Sequence, residues 1–169
     1  KNMAGFTFRK SLTGAGEAAH LDIIGANSVV FQVGDLIRIN TSGFASLATA
    51  GDLILGVVAG VVDKNEVSTD PDSATLDTYT MASDNQTVAQ KKVQYIPALQ
   101  EYLFYNDADD TLSQTNLFQY FPINDENDVD GSNPSDATVN TVRLIEIDPD
   151  GDGDASKGLF QIVESFWAQ

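Results

Sequence analysis

The chain has no cysteine, one histidine and one tryptophan among 169 residues. Without thiols there can be no disulfide, thiolate metal site or cysteine nucleophile, and the absence fits a cytosolic origin. A single imidazole, His20, cannot build a His/Cys zinc site, and a Ser-His-Asp relay would depend on it alone. It lies in EAAHLD with no Gly-x-Ser-x-Gly elbow anywhere in the chain, so no catalytic residue is assigned and no enzyme activity is expected. No apolar run reaches the roughly 18 residues that a membrane helix needs. The longest, Leu53–Val62, has the length of a strand and is interrupted by Gly56 and Gly60. Nothing resembles a signal peptide, and the missing initiator Met predicts processing or an earlier start. Bases are scarce: nine Lys and Arg stand against 25 Asp and Glu, a net charge of −16. Phosphate contacts need concentrated Lys and Arg, so neither nucleic acid nor membrane is an expected partner, and no cofactor is expected.

The few bases are unevenly placed. Residues 1–16, KNMAGFTFRKSLTGAG, contain Lys1, Arg9 and Lys10 and no acid. Residues 17–169 hold all 25 acids against six bases, a net of −19. This polarity predicts an N-terminal arm over 1–16 attached to a single β-rich domain over 17–169. Phe6 and Phe8 alternate with Thr7 and Arg9, so an extended arm has an apolar face and a polar or basic one. Such a segment can add to the edge of a partner's sheet; a disordered tail or an ordinary first strand is the plainer alternative.

The body reads as mainly β. Thr, Val, Asp, Asn and Gly are abundant, and apolar residues come in short runs bounded by turn residues. Strands are predicted near Ser28–Gln32, Leu36–Asn40, Leu53–Val62, Thr87–Pro97, Glu101–Tyr105, Leu117–Pro122, Thr141–Ile147 and Gly158–Trp167. A further short strand is expected at Thr78–Met81, inside the polar stretch 63–86. Interior glycines such as Gly56 and Gly60 mark bends or bulges and suggest a small β-barrel. The clearest hairpin joins TVRLIEI to GLFQIVESFW through DPDGDGDASK.

That connection carries the strongest chemical motif. Asp148, Asp150, Asp152 and Asp154 occupy alternate positions of a calcium-type loop, with Gly153 at the sixth. Leu159 stands where a bidentate Glu should close the site, and the flanks are strands. A solvated hairpin tip is therefore the preferred reading and a weak calcium site the alternative. Paired acids could serve glycoside hydrolysis, but among 25 acids some pair is always near. Tyr102, Phe104, Tyr105, Phe118, Tyr120 and Phe121 suit a core or a subunit interface better than a sugar platform. Gly14 and Gly16 lack the context of a phosphate loop, and two glycosylation sequons, at Asn40 and Asn85, are attributed to chance.

GDLIRINTSGFASLATAGDLILGVVAGVV and MASDNQTVAQKKVQYIP, with the leader GFTFRKSLTGAG, resemble tailed-bacteriophage capsid decoration (cement) proteins over about half of the chain. The resemblance implies a β-tulip-like domain that is made in the host bacterial cytoplasm. There it would trimerise on the outer surface of the icosahedral head and bridge major capsid proteins in the expanded shell. Under that reading Phe6, Phe8, Arg9 and Lys10 are the expected capsid contacts. Tyr102, Phe104 and Tyr105 are the expected trimer interface. The alternative is an extracellular carbohydrate-binding or adhesin-like β module with calcium at Asp148–Asp154.

Overall fold

The structure, a computed structural model, describes residues 5–14, 16–73, 75–134 and 141–168. It is mainly β and antiparallel, with strands numbered in chain order. One five-stranded sheet runs β1 (Thr7–Ser11), β9 (Tyr102–Asp107), β14 (Lys157–Ile162), β13 (Val142–Ile147), β10 (Tyr120–Phe121). The other runs β2 (Leu21–Ile24), β8 (Lys92–Pro97), β6 (Gly56–Val62), β4 (Leu36–Ile39), β5 (Ala45–Leu47). Two short pairs complete it: β3 (Val30–Gln32) with β7 (Thr78–Thr80), and β11 (Ile123–Asp125) with β12 (Asp128–Val129).

The second sheet is a middle layer, because its side chains alternate between two cores. Leu36 and Val57 enter the core shared with Phe104, Phe121 and Phe160 of the first sheet. Their neighbours Ile37 and Val58 enter the other, around Phe31, Met81 and Tyr95. The period of two along a strand makes this division unavoidable once both faces are covered. Strand β8 shows the same alternation, burying Val93, Tyr95 and Pro97.

Several expectations need correction. The second sheet does not close as a laddered barrel: its edges meet at one parallel bridge, Gly25 to Ala45. The predicted strand Thr87–Pro97 begins only at Lys92, since Asn85–Ala89 forms a π-helical turn. The fully buried Asn85 holds that turn by donating to the Gly25 and Lys91 carbonyls, at 2.8 and 3.0 Å. Leu53–Val62 is divided before Gly56, with Ile54 bridging Ser165. Gly158–Trp167 pairs only to Ile162 and ends in a 3-10 turn, Phe166–Ala168. Of Leu117–Pro122 only Tyr120–Phe121 is strand, because Phe118 adopts a left-handed φ of 65°.

Candidate functional site: the basic edge strand

Residues 7–11 form β1, paired to β9 and lying at the edge of its sheet. The described part of the arm is thus built into the body. Phe6 is buried in the first core, and its N–H donates to the Gly34 carbonyl at 2.8 Å. Gly5 and Gly34 both have positive φ, and a Cβ on Gly34 would press on the Gly5 Cα at 3.0 Å. Two glycines are what let the arm approach so closely. Phe8 packs edge-on against Tyr102 and Phe104, with centroids 5.1 and 6.0 Å away.

Arg9 and Lys10 remain exposed. The ladder slips between Phe8 and Lys10, so Arg9 is the extra residue of a bulge, and a second slip falls between Leu144 and Glu146 on β13. Bulges re-aim side chains; here two consecutive bases both reach acids of the β13–β14 hairpin. Arg9 donates to both Asp150 oxygens, at 2.9 and 3.2 Å, and its guanidinium lies 5.0 Å from the Tyr105 ring centroid. Lys10 donates to Glu146 at 3.2 Å. These pairs are solvent-screened, and each contributes at most about 1 kcal/mol, so they can be exchanged for pairs with another molecule at little cost. Between them lies an open cleft of about 190 Å³ lined by Arg9, Lys10, Glu146, Pro149, Asp150 and Leu159.

Tyr102, Phe104 and Tyr105 do not form an outer face. Strand β9 is covered on both sides, and all three are buried within the chain, at 6%, 0% and 6% exposure. The dense aromatic run marks a central strand, and these side chains leave little surface for a second copy. The Tyr102 hydroxyl accepts from the Ala19 N–H at 2.9 Å. Burial raises the Tyr105 phenol pKa, helped by Asp107.

The calcium-like loop is organised from within. Asp148, at φ 49°, accepts from the Asp152 and Gly153 N–H groups at 3.1 and 2.8 Å. Asp152 and Asp154 both face Lys157, and Asp150 faces Arg9. The bond from Lys157 holds the Asp152 carboxyl below its ordinary range, while Asp154 is held down chiefly by Ser156. Among the described residues no group of three or more His, Asp or Glu is placed to hold a metal ion. His20 is exposed.

Sequence reasoning named Phe118 and Tyr120 but missed the base that joins them. Arg143, on β13 directly across from Tyr120, lies 5.4 Å from the Phe118 centroid and 5.8 Å from that of Tyr120. The run LFQYF contains no glycine, asparagine or aspartate to mark a left-handed residue at 118, so nothing in it points to Arg143. Compared with protein-family models, curated proteins and solved structures, the chain matches none. Among the described residues no helix is long and apolar enough to cross a membrane.

Proposed function

We propose that the chain is a virion structural protein: a decoration protein that binds the outer surface of a phage head as a homotrimer and bridges major capsid proteins in the expanded shell. It acts by binding, without catalysis. The observation that carries the reading is the position of β1. In a chain of net charge −16, the acid-free segment Thr7–Ser11 forms the exposed edge of a five-stranded sheet, with Arg9 and Lys10 on its surface. A sheet edge offers unpaired main-chain groups to another chain, and the bases give attraction to an acidic docking surface while the acidic remainder favours solvent. Three such feet on one trimer raise effective concentration, so each contact can be small. The resemblance of the β4–β6 and 81–97 segments to decoration proteins points the same way.

The test is attachment of purified chain to expanded and to immature heads. Attachment to expanded heads alone, weakened by Arg9→Glu with Lys10→Glu and by added salt, is the expected result. Equal binding by the folded double variant would remove the role given to β1, and no binding by the parent chain would remove the function.

A further inference from the structure

Phe118 is a bulky, 56% exposed side chain on a left-handed backbone. For such residues this conformation is strained and persists only where neighbours over-determine it. Neighbours do so here. The Phe118 N–H donates to the Leu144 carbonyl at 2.8 Å, the Leu144 N–H returns to Gln119 at 3.0 Å, and Asn116 receives the Ser113 N–H at 2.8 Å. The strained turn sets the Phe118 ring against Arg143, whose Nε donates to the Phe118 carbonyl at 3.2 Å. Two aromatic rings and that bond orient the guanidinium, and its terminal nitrogens are left as a preformed fork.

The charge pattern says what the fork suits. Arg9, Lys10, Arg38, Lys92 and Lys157 each reach a carboxylate. Among the described residues Arg143, Lys64 and Lys91 have no carboxylate within pairing distance, and of these three only Arg143 carries a planar guanidinium held by aromatic rings. The opposite imbalance occurs elsewhere in the chain. Asn124 donates to Asp109 at 2.7 Å and to Asp128 at 3.2 Å, Asp125 and Asp130 act on the same group, and no described cation pairs with any of the four. Like charges held together this way favour an incoming cation, and a planar fork favours a carboxylate.

We propose that Phe118, Tyr120 and Arg143 form a docking site for a second copy of this chain, entered by a carboxylate of its Asp109–Asp130 acidic loops. The contact is head-to-tail: a different patch of each copy takes part, so it can close into a ring. This rests on the homotrimer of the reading above and names the surface that would hold it, with the buried β9 aromatics left out. Repulsion between copies of net charge −16 is screened beyond about 8 Å at physiological salt, so a short-range pair of this kind can prevail.

Sedimentation of the full chain over a concentration series tests it, with Arg143→Glu and Phe118→Gly as variants. Glycine removes the ring and adopts a φ of 65° without strain, so F118G keeps its fold; far-UV circular dichroism and melting check this for both. The expected result is a self-associating parent chain and at least about tenfold weaker association in each variant, the loss of one charge-assisted contact. Parent chain that stays monomeric, or variants that associate like the parent, would overturn the proposal. So would a monomeric parent that binds heads through Arg143, because the occupant would then be the shell. A parent chain that assembles through Arg143 and leaves heads bare would sink the decoration reading instead and leave this contact standing.

Discussion

Among the described residues Asp35 is the charged side chain most removed from water, at 2% exposure. It sits in the turn before β4, where it accepts from the Gln32 N–H at 2.7 Å and from Asn127 at 3.2 Å. Desolvation raises its pKa from 3.8 to about 6, opposed by those two bonds and helped by Glu126 and Asp125. Since the folded pKa lies above the unfolded one, the proton is held more tightly in the native state. The stability it contributes is complete below about pH 3.8 and is lost as pH rises through about 6. A rise of that size corresponds to on the order of 3 kcal/mol. Melting followed from pH 4 to 7 is expected to show a decline with rising pH that Asp35→Asn largely removes. A variant with the same slope as the parent would show that Asp35 does not titrate as its burial requires. No sequence signal singled out Asp35, because a turn aspartate after glycine ordinarily faces solvent; only the approach of the β11–β12 hairpin covers it.

At the scale of elements, β1 is both the proposed contact strand and part of the core. Deleting residues 1–10 therefore removes Phe6 and the β1–β9 ladder along with the bases. Loss of a buried Phe alone costs about 3–5 kcal/mol, so the truncated chain is expected to melt well below the parent, and any loss of binding would be uninterpretable. The surface changes at Arg9 and Lys10 separate the two roles. Strand β6 offers a second comparison. A Cβ on Gly56 would collide with the Ile96 carbonyl and the Tyr95 ring, whereas nothing lies within 4 Å of a Cβ on Gly60. Gly56→Ala is expected to lose about 2 kcal/mol or more through forced separation of β6 from β8, and Gly60→Ala to lose little. Equal denaturation midpoints for the two would show that the strands part freely. Both glycines were legible as strand interruptions, but which of them faces a backbone depends on a register that only pairing with β8 fixes.

For the whole molecule, the shared middle sheet predicts one unfolding transition. Leu36→Ala and Ile37→Ala strike different cores, yet each is expected to lower the same melting step by about 2–5 kcal/mol. Two separable steps by calorimetry would show that the cores melt independently. Calcium at millimolar concentration is expected to leave melting unchanged, because Lys157, Arg9 and backbone N–H groups already engage the loop acids. A rise that chelator reverses would restore the loop as a ligand site. The sequence by itself determined the mainly β class, the β13–β14 hairpin, the alternation of β8 and the charge polarity, since all four follow from local periodicity and composition. Only the tertiary structure decided that β1 is part of the body, that the β9 aromatics are core, and that Phe118 holds Arg143 in place. Those outcomes depend on which faces other strands cover, and residues distant along the chain supply that cover.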